Sequence, residues 1–448
     1  MSDIFAARSQ MAISLIFHII FAAIGMALPL MMLVAEALWL RTHDPAYLCL
    51  AKRWAKGTAI LFAIGAVSGT VLSFELGVLW PRFMGLAGAA IGMPFSLEGF
   101  AFFTEAIFLG IYLYGWKRVS PRMHLFAGAI VALSGLASAM FVTLVNGWMN
   151  TPTGFRLVNG RFTDINIWAA LRNPAGAPEA VHMMLAAYCA AGFGTAGIHA
   201  LLALRDRTNR FHRHAIAIAL LVGGTAVILQ ALSGDALARM TAANQPTKLA
   251  AMEGAFDTRS GAPLRIGGLP DVHTRQTKYA IEIPYALSLL AFHSPHAVVD
   301  GLDKTPESDW PDVLVVHIAF QIMVGLGSLL MGVSLLALWL KWTRGPLTEC
   351  RRFLQLLVLC APLGFIALEA GWVVTEVGRQ PWIIYHVMRT AAAVTTMPGL
   401  ITPLFLFTGL YLVLAVIVIW LMTKHVIASP SEKEIQAVTA KELHHAHA

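Results

Sequence analysis

The sequence predicts an all-α fold, a polytopic membrane helix bundle of about nine transmembrane helices. Hydrophobic residues make up 57% and charged residues 13% of the 448 residues, and the mean hydropathy is +0.68. Soluble proteins usually carry about 25% charged residues. A chain of this composition cannot cover itself with polar surface, so it needs lipid as its solvent.

The second observation is that apolar segments long enough to cross a bilayer, about 20 residues each, recur along the chain. The first is too long for the apolar part of a signal peptide and lacks a small-residue cleavage site, so we expect it to remain as a helix. The chain, 1–448, is predicted to be a single membrane domain. The predicted spans are 11–40, 56–80, 95–116, 124–146, 180–204, 214–234, 312–340, 353–376 and 400–423.

The third observation is that basic residues are concentrated in alternate connections. Cytoplasmic loops carry the excess of Lys and Arg, so the richer set is predicted to be cytoplasmic, with the N-terminus outside and the C-terminus inside. The formal net charge of +7 lies in these loops, which argues against a nucleic-acid-binding surface. The richer set comprises Arg41, Lys52, Arg53, Lys56, Lys117, Arg118, Arg122, Arg205, Arg207, Arg210, Arg213, Lys341, Arg344, Arg351, Arg352 and Lys424.

Two segments are polar enough to lie outside the membrane. Residues 235–311 form a long insertion on the predicted outer side, and insertions of this length are usually functional or disordered. Residues 429–448 are predicted to be a flexible cytoplasmic tail.

Ionisable and ligand-type side chains within the spans converge on one predicted depth, in the outer half of the membrane. Such groups are costly in lipid and indicate function. Glu98 and Glu105 are seven residues apart, as are Glu369 and Glu376, and seven steps of about 100° return to nearly the same helix face. The converging groups are His18, Glu98, Glu105, His182, Gln321, Met323, Glu369 and Glu376.

These residue types favour iron over a hard cation. Imidazole with thioether is the axial pair of a low-spin, electron-transferring haem, and a lone His or carboxylate could hold a second iron with an open position. Taken singly, each residue also has an ordinary interpretation. A His at a helix start is often interfacial, a Met is usually packing, and membrane carboxylates form proton relays in transporters. The residues alone leave these alternatives open.

Several motifs resemble subunit I of the cytochrome bd-type quinol oxidases, in order along the whole chain. They are the segments 97–105 (LEGFAFFTE), 146–149 (NGWM), 248–253 (KLAAME), 369–372 (EAGW) and 378–382 (GRQPW).

The resemblance implies a set of haem ligands. His182 and Met323 would be the axial pair of a low-spin haem b. His18 and Glu376 would each hold one of two further haems, a high-spin haem b and haem d (or a further haem b), with the assignment between them open. Arg379 would pair with haem propionates, and Trp372 would pack against a macrocycle.

The resemblance also implies the path of protons and of substrate. Glu98 would lie beside the oxygen-reducing haem, and Glu105 would belong to the proton path that leads to it. Lys248 and Glu253, in the outer loop 235–311, would bind quinol and take its protons. Quinol oxidation outside and oxygen reduction to water with cytoplasmic protons would generate a proton motive force.

The implied setting is a complex in the bacterial inner membrane. A second large membrane subunit (subunit II) and a small single-span subunit would be partners, together with quinol, oxygen and membrane lipid. The sequence departs from many family members at Gln321, where an Arg is common, and losing this cation is expected to lower the potential of the neighbouring haem. The outer loop is short, as in the cyanide-insensitive branch, so the resemblance leaves open whether the third haem is haem d or a further haem b.

Three alternatives compete with this hypothesis. One is the same fold with only b-type haems. Another is a proton-coupled membrane transporter that uses the carboxylates, although no inverted repeat or pair of broken helices is evident. The third is a purely structural membrane subunit, which should carry fewer buried ionisable groups.

Overall fold

The computed structural model describes residues 3–438, and these form a helical bundle. Nine of its helical segments are long and apolar enough to cross a membrane, which confirms the predicted number of spans. The α-helices are α1 (Asp3–Thr42), α2 (Pro45–Leu79), α3 (Pro81–Tyr114), α4 (Pro121–Asn150), α5 (Ile167–Leu171), α6 (Gly176–Ala203), α7 (Arg210–Asn244), α8 (Pro246–Glu253), α9 (Ala286–Phe292), α10 (Val313–Arg344), α11 (Arg351–Cys360), α12 (Leu363–Val377), α13 (Thr390–Ala393) and α14 (Ile401–His425).

Local sequence signals explain where the spans begin. Proline is the first residue of α2, α3 and α4, a position where its missing N–H costs nothing. The side chains of Asp44, Ser120, Asn209 and Asp312 cap the following helices by accepting hydrogen bonds from backbone N–H groups. The eighth span is made of α11 and α12, which are separated at 361–362.

The spans pack as neighbouring hairpins around α1, α4 and α6. The pairs α1–α2, α3–α4 and α6–α7 pack side by side, and α1, α4 and α6 contact one another. The end of α4, the end of α7 and the 378–400 connection meet at one end of the bundle: Gln245 donates to the Asn150 carbonyl at 3.1 Å, and the Tyr385 N–H to the Met149 carbonyl at 3.0 Å. We call this the loop end.

The long loop starts later than the sequence predicted. Because α7 continues to Asn244, the loop covers 245–312 rather than 235–311. All the strand pairs in the described residues are short antiparallel ribbons. The strands are β1 (Arg156–Val158), β2 (Arg161–Thr163), β3 (Arg259–Ser260), β4 (Leu264–Ile266), β5 (Leu269–Asp271), β6 (Gln276–Lys278), β7 (Ile281–Ile283), β8 (Val298–Val299), β9 (Trp382–Ile384) and β10 (Met388–Arg389), paired β1–β2, β3–β8, β4–β7, β5–β6 and β9–β10.

The C-terminal segment differs from the prediction of a solvated, flexible tail over 429–448. In its described part, Ile435 is fully buried in the apolar core formed mainly by α1, α2 and α7. Ser429 Oγ lies 2.8 Å from His212 Nε2, and Glu432 accepts a 2.5 Å hydrogen bond from Arg210. Burial of one apolar side chain and these polar contacts hold this part against the bundle. Residues 439–448, with their histidines, lie outside the described residues.

Candidate functional site

Four spans form a closed ring that carries the predicted axial pair. Helix α6 packs on α7, α7 on α10, α10 on α12, and α12 on α6. His182 belongs to α6 and Met323 to α10, which are opposite members of this ring. The His182 ring lies against α7, with Nδ1 3.0 Å from Ser233 Oγ and Nε2 3.0 Å from Gln230 Nε2. The two predicted ligands thus come from facing helices.

Glycines leave room beside two of the predicted ligands. A Cβ atom at Gly371 of α12 would lie 3.1 Å from Met323 Sδ, and one at Gly69 of α2 would lie 3.0 Å from His18 Cε1. Contacts this short force a neighbour to move, so only glycine lets the thioether and the imidazole stay where they are. His18 Nδ1 is also 2.9 Å from Ser68 Oγ, which fixes the ring against α2.

Glu376 and Arg379 form the polar end of the site, where α12 reaches the loop end. Arg379 Nη2 donates a 2.6 Å hydrogen bond to Glu376 Oε2, and Asn146 of α4 donates to Glu376 Oε1. The Arg379 side chain is 2% exposed, yet its Nε and Nη1 atoms have no hydrogen-bond partner. The Glu376 carboxylate leaves two buried donors of the guanidinium without an acceptor, and a haem propionate is an acceptor of suitable geometry.

The two carboxylates of α3 face α4. Ser138 Oγ donates a 3.1 Å hydrogen bond to Glu98, and the Glu105 carboxylate lies beside Gly135, one helical turn earlier on α4. Glu105 is buried. On α12, both carboxylate oxygens of Glu369 are buried without a hydrogen-bond partner. Glu98 and Glu105 therefore share the α3–α4 interface, as their seven-residue spacing predicted.

Lys248 of α8 points into the bundle rather than into solvent. Its Nζ donates a 2.8 Å hydrogen bond to Asn150 Oδ1, and Asn150 in turn donates a 2.9 Å hydrogen bond to the carboxylate of Glu179 on α6. Burial lowers the pKa of Lys248; the Glu179 and Glu376 carboxylates oppose this shift, and the Arg379 guanidinium adds to it. The loop lysine and the Glu376–Arg379 pair therefore belong to one buried polar network.

Glu253 ends α8 and is buried under the loop. Its carboxylate accepts a long, 3.5 Å hydrogen bond from the Arg265 N–H. The Arg265 guanidinium donates to the Glu282 carboxylate and to the backbone carbonyls of Glu253 and Gly254. Burial raises the pKa of Glu253 to about 7, against the opposing effect of Arg265. A carboxyl group of this kind can take up and release a proton near neutral pH.

Gln321 of α10 holds the loop. Its Oε1 accepts a 2.9 Å hydrogen bond from the Gly267 N–H, and its Nε2 donates a 3.0 Å bond to the Arg265 carbonyl. His317, one turn earlier on α10, lies 2.8 Å from the Met252 carbonyl and 3.1 Å from the Gly267 carbonyl. Helix α10 thereby positions both the loop and Met323.

Sequence reasoning missed several buried polar residues. Glu179, Asn150 and Gln245 complete the network around Lys248. Near the loop end, Glu75 of α2 accepts hydrogen bonds from Gln10 at 3.0 Å and from Ser14 at 2.9 Å. Glu75 is an acidic residue inside the predicted span 56–80, and that signal could have identified it, whereas Glu179 lies one residue before the predicted span 180–204.

The residues fit a porphyrin better than a bare ion. Among residues 3–438, no three His, Cys, Asp or Glu side chains come close enough to hold a metal. A haem needs only one or two axial ligands from the protein, plus cations for its propionates. The single imidazoles, the thioether and the buried Arg379 meet those needs.

The bundle and this site define a multi-pass membrane protein with a buried polar centre suited to redox cofactors. The model of the cytochrome bd terminal oxidase subunit I family matches residues 6–430. The chain therefore belongs to that family and is a quinol oxidase subunit. This confirms the predicted fold class and family resemblance.

Individual relatives agree along the whole chain. A Bacillus subtilis (strain 168) protein named "Putative cytochrome bd menaquinol oxidase subunit I" is 40% identical, covering 97% of this chain and 99% of the relative. Cytochrome bd ubiquinol oxidase subunit 1 of the same strain is 30% identical, covering 95% and 94% of the two chains. A solved bd oxidase from Geobacillus thermodenitrificans matches with a TM-score of 0.90 and 40% identity, covering 96% of this chain and 99% of that one.

Proposed function

We propose that this chain is the haem-bearing subunit of a quinol:oxygen oxidoreductase in the bacterial inner membrane. The loop end would face outward, with the N-terminus outside and the C-terminus in the cytoplasm, because the connections at the opposite end are richer in Lys and Arg. Subunit II and a small single-span subunit would complete the complex. The observation that carries the proposal is the buried Arg379, whose unpartnered donors lie beside Glu376 and could be satisfied by the carboxylate of a haem propionate.

The chain would hold three haems with the ligands that its sequence motifs imply. His182 and Met323 would hold a low-spin haem b, while His18 and Glu376 would each serve one of a high-spin haem b and haem d (or a further haem b), with Trp372 packed against a macrocycle. Bound haems would supply one-electron chemistry between quinol and oxygen. Ser233 and Gln230 would orient the His182 ring for this task.

The protein residues would bind the quinol and move its protons. Quinol would bind beside the loop, with Lys248 and Glu253 as its contacts and Glu253 as the group that takes a proton. Glu105 would pass cytoplasmic protons toward the oxygen-reducing haem, and Glu98, held by Ser138, would act beside that haem. Oxygen would be reduced to water, and proton release outside with uptake inside would generate a proton motive force.

The test is Met323→Leu in the purified complex, with Met331→Leu on the same helix as the control. The Met323 variant should lose the low-spin signal in the reduced-minus-oxidised spectrum and stop oxidising quinol, while the control keeps both. An unchanged spectrum in the Met323 variant would remove Met323 from the ligand set. A colourless parent complex would favour the proton-coupled transporter, and pigment extraction without haem d would favour the form with b-type haems only.

A further inference from the structure

A cavity of about 740 Å³ lies at the end of the bundle opposite the loop end, away from the site described above. It is lined by the first turns of α2, the end of α3 with the connection that follows it, and residues 434–438. None of the predicted haem, quinol or proton-path residues contributes to its wall. The cavity therefore needs an explanation of its own.

The cavity wall is strongly cationic. Its described lining contains one acidic residue, Glu434, and five basic residues. Within residues 3–438, no ion pair is described for Arg53, Lys56, Lys117 or Arg118. These four basic side chains are crowded together without ion-pair partners among the described residues, so they repel one another, and an anion between them relieves that repulsion. The basic residues are Lys52, Arg53, Lys56, Lys117 and Arg118.

Another part of the same wall is apolar and aromatic. Leu113 and Trp116 line it beside Tyr114, whose side chain is 74% exposed at the last residue of α3. Lys52 Nζ lies 4.9 Å from the centre of the Trp116 ring. Trp and Tyr at the end of a span typically mark the membrane–water boundary. A ligand in this position can touch both the cations and the hydrocarbon region.

We propose that this cavity binds the phosphate headgroup of an anionic phospholipid. Lys56, Lys117 and Arg118 would neutralise the phosphate, and the acyl chains would leave along Leu113 and Tyr114 into the bilayer. Basic pockets between transmembrane helices recognise anionic headgroups in this way. A soluble phosphate shares the charge chemistry but makes no use of the apolar wall, which is why the lipid is the favoured ligand.

The experiment measures binding of radiolabelled dioleoylphosphatidylglycerol to the purified complex in mixed detergent micelles. The pocket variant combines Lys56→Gln, Lys117→Gln and Arg118→Gln. All three residues are exposed, so the fold should tolerate the change. The control combines Lys341→Gln, Arg344→Gln and Arg352→Gln, which removes the same charge from exposed residues at the same end of α10 and α11.

The Kd should rise at least tenfold in the pocket variant, because each basic residue close to the headgroup contributes about a fivefold factor. It should rise less than twofold in the control, whose three residues do not line the cavity. Equal losses in the two variants would overturn the proposal, as would equal binding of zwitterionic dioleoylphosphatidylcholine by the parent. Displacement by equimolar inorganic phosphate would assign the cavity to a soluble anion instead. Absence of binding to the parent complex would also overturn the proposal. The haem spectrum should be unchanged in both variants, so this test is independent of the Met323 test.

Discussion

Lys248 Nζ donates a 2.8 Å hydrogen bond to Asn150 Oδ1, and this contact joins the long loop to the membrane-embedded bundle. Asn150 also bonds Glu179 and receives a hydrogen bond from Gln245, so a single amide organises a buried set of polar groups. Because the lysine is only 4% exposed, its positive charge is stabilised by this acceptor and by the nearby carboxylates rather than by water.

Replacing Asn150 by Leu should uncouple the loop from the bundle. The buried Lys248 would lose its acceptor, which costs about 1–3 kcal/mol of unfolding free energy. We expect quinol oxidation to fall at least tenfold while the reduced haem spectrum stays near that of the parent. Steady-state quinol oxidation and a thermal unfolding curve of the purified complex measure the two effects.

Asn244→Leu is the matched control, because Asn244 is exposed and its side chain bonds only a carbonyl of its own helix. Such surface changes usually stay within about 0.5 kcal/mol. Parental quinol oxidation in Asn150→Leu would contradict a role of this network in substrate turnover.

The raised pKa of Glu253 predicts a pH dependence of quinol oxidation. Burial raises this pKa to about 7, so the carboxyl group holds its own proton below that pH and cannot accept one from quinol. The rate of quinol oxidation should therefore rise as the pH increases through about 7. The Glu253→Gln variant should lose this rise and should oxidise quinol more slowly at every pH. A pH–rate profile of quinol oxidation for the parent and the variant measures both effects.

The control for Glu253→Gln is Glu307→Gln, an exposed carboxylate of the same loop that pairs with Arg275. It should keep the shape of the parent profile. The same pKa shift makes the proton on Glu253 stabilise the folded state, and this contribution is lost as the pH rises from about 4.5 to 7. If the rise in rate near pH 7 persisted in Glu253→Gln, the titrating group would be a residue other than Glu253.

The spans could be predicted because hydropathy is a property of each segment alone. Apolar runs, prolines at helix starts and polar caps all act within a few residues, so all nine spans were recognised. The spacing of residues along one helix also predicted which side chains share a face, because Glu98 and Glu105 both lie at the α3–α4 interface. The predicted start of the long loop was ten residues early because 235–244 is polar but continues α7.

The buried network could not be predicted, because it depends on contacts between distant segments. Lys248 and Asn150 are 98 positions apart, and nothing in either segment indicates the other. Glu179 stands in the first turn of α6, where an acidic residue is common for its interaction with the helix dipole. Ile435 is one apolar residue in a polar segment, and only packing shows that it is buried.

A methyl group at Gly371 should displace the predicted thioether ligand. The new Cβ would lie 3.1 Å from Met323 Sδ, so Gly371→Ala must shift the Met323 side chain or α12. We expect a weakened or shifted low-spin band and at least a tenfold loss of quinol oxidation. Gly409→Ala in α14, where a Cβ meets nothing within 4 Å, is the control and should match the parent in the optical spectrum. An identical spectrum in both variants would show that this glycine does not shape the haem site.

Glu105→Gln should separate proton delivery from electron transfer. The amide keeps the size of the carboxyl group but cannot release a proton at neutral pH, and losing one positioned proton donor typically costs a factor of about 100 or more. Oxygen consumption should therefore fall at least tenfold, whereas anaerobic reduction of the haems by quinol should proceed, because quinol is expected to bind at the loop end, away from the α3–α4 interface. Stopped-flow reduction and an oxygen electrode measure the two steps.

Glu349→Gln is the control, because Glu349 is an exposed carboxylate beyond α10, and it should leave both rates unchanged. A group that only delivers protons for oxygen reduction leaves the anaerobic reduction of the haems unchanged. If Glu105→Gln slowed that reduction as much as it slowed oxygen consumption, Glu105 would instead act on electron transfer or on haem binding.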